Sequence, residues 1–171
     1  YDAHVELMEQ CALICVGAAK VYHASATGGT WAGLDLGWRM HGGVMPIPVR
    51  VAEGIYTNMG AHYHRLSESA TKALRLTKEL QTSVLSLDYS QLGEGYGIAT
   101  VECLEAIDLM ARSEGVLLDP CYTGKAMAAL VSDVRHGRLK SAAVVLWHSG
   151  GMQGYTDPEM LRVVATGDRY K

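Results

Sequence analysis

A short apolar stretch, Val21 to Ser25, runs directly into Thr27-Gly28-Gly29-Thr30, and Trp31, Leu34 and Trp38 follow at helical spacing. Strand, glycine turn and helix in that order restrict the fold more than any other feature of the chain. A helix that follows a strand must fold back over the sheet, and the next strand then lies parallel to the first.

The same alternation recurs along the chain. Val5, Met8, Cys11, Ala12, Cys15 and Val16 predict a helix over residues 3–19. His41-Gly42-Gly43 stops the helix that starts after the glycine turn. Residues 46–51 read as a strand despite two prolines, and Met59, Tyr63, Leu66, Ala70 and Ala73 mark a long helix reaching Leu80. Val84 to Leu87 is a further strand candidate, and Gly93 to Gly97 a loop. Thr100 is an N-cap residue, with Glu102 and Glu105 suited to the positive end of its helix and Gly115 to the other end. Thr123 is expected to cap the next helix, whose apolar face is Met127, Leu130, Val131 and Val134 and which Gly137 closes. Ala143 to Trp147 reads as a buried strand leading into His148-Ser149-Gly150-Gly151, and the tail from Thr156 is weakly patterned. The expected fold is α/β: a mostly parallel sheet with helices on both faces. Ligands of such sheets bind beyond the carboxyl ends of the strands, so the Gly28, Tyr96, Tyr122 and Ser149 segments are expected to converge.

With 171 residues the chain suffices for one domain. A net charge of −3 gives no basic footprint for nucleic acid. The longest apolar stretch, Cys11 to Ala19, is too short to cross a membrane as a helix. Cys11, Cys15, Cys103 and Cys121 lack the second pair or the nearby histidines of a metal site, and read as free thiols of a reducing cytoplasm. The chain starts at Tyr1, and it is read here as cut from a longer one.

The glycine turn carries the strongest chemical signal. Backbone amides and the positive end of a following helix favour a phosphate, although the same residues also suit a plain tight turn. Tyr96 and Tyr122 lie in loops, where a phenol either faces a ligand or anchors its own loop. His62 and His64, two apart on a helix, do not share a face and read as surface. His148 and Ser149 are adjacent, so they point to opposite sides of an extended chain. Lys125 reads as solvated.

The run EGVLLDPCYTGKAMAALV over residues 114–131, together with YDAHVELMEQ, ATGGTWAGL, GEGYGIAT and LWHSGG, resembles the aminocyclopropane-carboxylate deaminase and D-cysteine desulfhydrase family. These are fold-type-II pyridoxal-phosphate enzymes, and the resemblance covers roughly residues 1–155. It implies part of the large domain of a tryptophan-synthase-β-like fold, with residues 1–171 a single partial domain, the C-terminal half of such an enzyme. It implies that Thr27, Gly28, Gly29 and Thr30 hold the cofactor phosphate and that Ser149 bonds the pyridine nitrogen. Tyr96, Tyr122 and Thr123 would be catalytic, with the two phenols flanking ring and substrate. The deaminase branch has a glutamate where this chain has Thr123 and a leucine where it has Ser149. Both differences point to the D-cysteine desulfhydrase branch, in which a small amino acid loses its α-proton and β-thiol to give hydrogen sulfide, pyruvate and ammonia. Aminocyclopropane-carboxylate ring opening is the alternative.

The sequence departs from the family pattern in several places, among them the loop before LWHSGG, a residue short, and the last dozen residues, which do not match. None of Lys20, Lys72, Lys78, Lys125, Lys140 and Lys171 lies in the asparagine-lysine context of the family's Schiff-base lysine. Ala26 replaces a glycine of the phosphate loop, and residues 41–57 follow the family poorly. The chain alone is therefore expected to be inactive, with the lysine in an absent N-terminal half and apolar surface covered by that half or by homo-oligomerisation. A non-catalytic domain that binds a phosphorylated small molecule and an inactive oligomerising relic remain the readings from other classes.

Overall fold

The structure, a computed structural model, describes residues 1–53, 58–76, 87–139 and 143–166. Three parallel strands, β1 (Ala18–Ser25), β2 (Met45–Arg50) and β3 (Ala143–Leu146), form a sheet in the order β2-β1-β3. The helices are α1 (Asp2–Leu13), α2 (Gly29–His41), α3 (Met59–Ala73), α4 (Val101–Glu114), α5 (Thr123–Arg135) and α6 (Pro158–Thr166). The expected α/β architecture is present, with both sheet faces covered.

Alternation along β1 sorts its side chains between two cores. Val21 packs with Leu7 and Cys11 of α1 and Leu34 of α2. Tyr22 points the other way, against Ala126, Ala129 and Leu130 of α5 and Val49 of β2. Burying each such side chain stabilises the fold by roughly 1.5–3 kcal/mol. Helix α1 crosses α2 closely because Gly37 has no side chain: a Cβ there would stand 2.5 Å from His4 Cβ. His4 is itself buried, with Nε2 on the Val44 carbonyl at 3.1 Å.

Helix α3 lies over the start of α2. Trp31 and Tyr63 stack with ring centroids 4.1 Å apart. Arg39 pairs with Asp35 at 2.7 Å and also donates to Tyr63 Oη and Ser67 Oγ. Asn58 caps α3 by accepting from the Ala61 amide at 2.9 Å. Helices α4 and α5 pack together on the opposite face of the sheet, and the Thr100 hydroxyl caps α4 as expected.

Several expectations need correction. The first helix ends at Leu13, not near residue 19, and β1 begins at Ala18. Cys15 takes φ 54°, with its amide on Ala12 O and the Val16 amide on Cys11 O. Helix α3 ends at Ala73 through the same arrangement, with Arg75 at φ 51°. Both are Schellman endings, which normally carry glycine at the left-handed position. With cysteine and arginine there, the sequence gives no stop signal. Leu80 and residues 84–86 of the strand candidate lie outside the described residues, although Asp88 bridges to Val49 beside β2. Strand β3 is half-buried, not buried. The tail contains a 3-10 turn at Met152–Thr156 and then α6. No helix among the described residues is long and apolar enough to cross a membrane.

His23 of β1 is fully buried, and its Nε2 has no partner. Burial holds its pKa down at about 4, against an ordinary 6.5. The unfolded chain thus takes up a proton as pH falls through 6.5, and the folded chain only near 4. The stability that neutral His23 leaves intact above pH 6.5 is lost across that window. Burial pushes Asp35 up to about 6 against the pull of Arg39, which gives the opposite slope. A difference measurement isolates the histidine. His23→Leu should gain about 2 kcal/mol relative to the unchanged protein between pH 7 and pH 5, read from urea melts at the two pH values. An unchanged difference would mean that His23 titrates alike in the folded and unfolded chains, so that burial does not lower its pKa.

Candidate cofactor-binding site

β1 ends at Ser25, and the chain turns through Ala26 and Thr27 into α2. Gly28 is the N-cap, with φ 84° and ψ 0°, a left-handed conformation that glycine adopts without strain. No side chain caps α2, and its first intrahelical bond runs from Ala32 N to Gly28 O at 2.8 Å. The amides of the first turn therefore have no acceptor within the helix, and the helix dipole adds positive potential at the same point. Helix α3 closes the far side of this turn: a Cβ on Gly28 would touch Met59 Cε at 3.4 Å and Leu66 Cδ1 at 3.6 Å. His62 Nε2 bonds the Thr27 carbonyl at 3.0 Å, so His62 supports the turn, where the sequence reading left it on the surface.

The turn opens onto a cavity of about 250 Å³, lined by residues 24–30, Tyr122 and residues 149–151. Of the expected site residues, Thr27, Gly28, Gly29, Thr30, Tyr122 and Ser149 all line it. Tyr96 stands at its edge. Its hydroxyl hydrogen-bonds that of Tyr122, with ring centroids 5.9 Å apart and planes at 69°. The hydrogen bond to Tyr96 first, and burial second, raise the pKa of Tyr122. At neutral pH Tyr122 is thus a phenol, able to donate a proton or a hydrogen bond.

Thr123 does not reach the cavity. It is fully buried, its hydroxyl donates to Asp119 Oδ1 at 2.7 Å, and it accepts from the Asp119 amide at 3.0 Å. Its place is behind Tyr122, as a support. It is also not the cap of α5, because the Asp119 carboxylate takes that role. Asp119 is 2% exposed and accepts from the amides of Cys121 at 2.9 Å, Tyr122 at 2.7 Å and Thr123 at 2.8 Å. Four charge-assisted hydrogen bonds outweigh the several kcal/mol that burying a carboxylate costs. The Ser149 loop closes on the same carboxylate. Gly151, at φ 101°, leaves no room for a Cβ, which would stand 2.7 Å from Asp119 Cβ. His148 bonds the Leu117 carbonyl at 3.0 Å.

Lys125 corrects another expectation. It is fully buried, and Nζ donates to the carbonyls of Leu92 at 2.9 Å and Gly95 at 3.2 Å, which ties the Tyr96 loop to α5. Burial lowers its pKa, and the neighbouring Cys103 and Cys121 oppose that shift. Neither it, Lys20 nor Lys72, the lysines among the described residues, lines the cavity. The cysteines remain free thiols. Cys11, Cys103 and Cys121 are buried, and Cys15 is exposed. Burial pushes Cys103 up to about 12.

The lining suits a phosphorylated ring. Ser25 is 1% exposed, lines the cavity, and its hydroxyl has no partner. A buried hydroxyl without a partner is costly, and an anionic oxygen in the cavity would satisfy it. A Cβ at Gly29 would meet nothing, so that backbone is open to a ligand. The family profile of pyridoxal-phosphate dependent enzymes matches residues 3–150. The chain belongs to this family. A solved structure titled "Crystal Structure Analysis of the ACC deaminase homologue" superposes with a TM-score of 0.75 at 29% identity. The match covers 94% of this chain and 49% of that one, so the chain spans about half the length of that relative.

The sequence reading assigned no role to Ser25, to Asp119 or to Arg50, whose buried guanidinium donates to the Ala26 carbonyl, and it left His62 and Lys125 in solvent. Asp119 had a local signal, since aspartate three or four residues before a helix's first amides is a ready acceptor. The others are evident only once β2, α3 and the Tyr96 loop are in place. Asp119→Ala should destabilise the protein by about 3 kcal/mol and Asp119→Asn by about 1 kcal/mol in denaturant melts. A cost below about 0.5 kcal/mol for the alanine variant would show that the Tyr122 turn does not depend on this carboxylate.

Proposed function

We propose that this chain is the C-terminal portion of a pyridoxal-phosphate-dependent lyase of the D-cysteine desulfhydrase kind. One observation carries the reading: in a member of this family, the glycine turn, Tyr122 and the Ser149 loop enclose a single cavity. Thr27, Gly28, Gly29 and Thr30 would hold the cofactor phosphate through backbone amides and hydroxyls. The Ser149 hydroxyl would accompany the pyridine nitrogen. When bound, the cofactor supplies an electron sink for a carbanion next to an amino group.

The chain's own residues act around that sink. A serine beside the ring nitrogen does not enforce its protonation, which a carboxylate would do. The paired phenols of Tyr96 and Tyr122 offer a donor to the substrate carboxylate or a proton to a leaving thiolate. Asp119, Thr123 and Lys125 hold those phenols in place. No described lysine lines the cavity, so we propose that the Schiff-base lysine comes from a part of the whole protein outside these residues, and that this chain alone is inactive. Free thiols support a reducing, cytoplasmic setting.

The printed title of the structural relative favours a second reading, aminocyclopropane-carboxylate deamination. The absence of a lysine from the described lining favours a third, a phosphate-ligand-binding domain without catalysis. The three readings separate when the full protein, loaded with pyridoxal phosphate, receives D-cysteine and aminocyclopropane-carboxylate in turn. Sulfide and pyruvate from D-cysteine are expected, and Tyr122→Phe should reduce that kcat by about 100-fold. Ammonia from aminocyclopropane-carboxylate without sulfide from D-cysteine would move the assignment to the deaminase. Saturable cofactor binding with neither product would leave only the binding domain.

A further inference from the structure

The glycine turn presents amides to the cavity only if its peptide planes face the right way. A trans peptide is planar, and its C=O and N–H point in opposite directions. Fixing a carbonyl therefore aims the next residue's amide. Two side chains from different elements fix two successive planes of this turn. Arg50, at the end of β2, is in register with Ser25 at the end of β1. It is 2% exposed, and its Nη1 donates to the Ala26 carbonyl, with the Ser25 carbonyl at 3.5 Å. His62 of α3 holds the next carbonyl, that of Thr27, at 3.0 Å. Ala26, Thr27 and Gly28 line the cavity, whereas Arg50 and His62 do not. Both carbonyls are thus held by side chains that do not line the cavity.

We propose that Arg50 and His62 are positioning residues that clamp the Ala26 and Thr27 carbonyls so that the Thr27 and Gly28 amides face the phosphate of the bound ligand. The inference rests on the cofactor reading above and extends it to two residues that do not touch the ligand. The buried guanidinium has a second effect: it stays charged in proteins, and it offsets the negative ends of carbonyls that would otherwise lie close to an anion. The unpartnered, buried hydroxyl of Ser25 lies in the same turn and is a third donor toward the same point.

The test compares pyridoxal phosphate with pyridoxal, which lacks only the phosphate, in equilibrium binding to the full protein. Arg50→Met should weaken pyridoxal phosphate by about tenfold and His62→Ala by about threefold, with pyridoxal changed less than about twofold by either. Arg50→Lys keeps the charge but not the fork, and should fall between the unchanged protein and Arg50→Met. Equal weakening of both ligands would assign a merely structural role and overturn the proposal. So would retention of the full phosphate preference by folded variants. Should Arg50→Met fail to fold, Arg50→Lys and His62→Ala decide by the same ratio. If the unchanged protein binds the two ligands equally, the cofactor reading itself fails and this inference with it. If it prefers the phosphorylated ligand and the variants do too, only the clamp fails.

Discussion

The Asp119 carboxylate is the point on which the site depends. Its two oxygens take three consecutive amides and one hydroxyl, which ties the turn from Asp119 to Thr123 together. That turn sets Tyr122 at the cavity wall. It also sets the surface on which Gly151 closes, because the Ser149 loop can approach only where no Cβ intrudes. A carboxylate this deep is tolerable because every hydrogen bond to it is charge-assisted. Remove the acceptor, and three amides lose their partner in a place water does not readily reach.

The two walls of the cavity use opposite charges in complementary ways. On one side an anion, Asp119, gathers amides and withdraws them from the cavity. On the other a cation, Arg50, gathers carbonyls and leaves amides free. The first wall is thus made of Tyr122, with Tyr96 bonded to it at the edge, and the Ser149 loop. The second is made of backbone donors at a helix N-terminus. A ligand with a phosphate at one end and a reactive, substrate-bearing ring at the other suits that polarity. A ligand with no acceptor at that end would leave the first turn of α2 and the Ser25 hydroxyl unsatisfied.

Much of this was legible in the sequence because the relevant signals are local. The glycine turn, the Thr100 cap, the Gly115 stop and the Trp31–Leu34 face of α2 each depend on residues within a few positions of one another, whereas the stripe expected on α5 was misplaced: Val134 is exposed, and Ala126, Ala129 and Leu130 face the core. The sequence misled where a rare residue did a common residue's job. Cys15 and Arg75 occupy left-handed positions that glycine usually takes, so two helix ends were invisible. It also misled where a polar residue's fate depends on distant chain. Lys125 is buried because the carbonyls of Leu92 and Gly95, some thirty residues earlier, receive its ammonium group. His62 supports the turn because α3 folds back over α2. Thr123 was assigned to chemistry by its place in a motif, whereas its hydroxyl is already bonded to Asp119 and it does not line the cavity.

The position of Thr123 also bears on the choice between the two branches. A glutamate at this fully buried position would set a second carboxylate against Asp119, four residues away and within direct bonding distance of the present side chain. Two such groups cannot both stay ionised in a dry site, so one would hold a proton or turn out toward the cavity. Either outcome adds an acid or a base beside Tyr122. The threonine adds neither. It leaves the phenols as the proton donors on this wall, a set that suits expulsion of a thiolate, an easily accommodated leaving group. Under the desulfhydrase reading proposed above, a hydroxyl bonded to Asp119 is the partner this buried position requires.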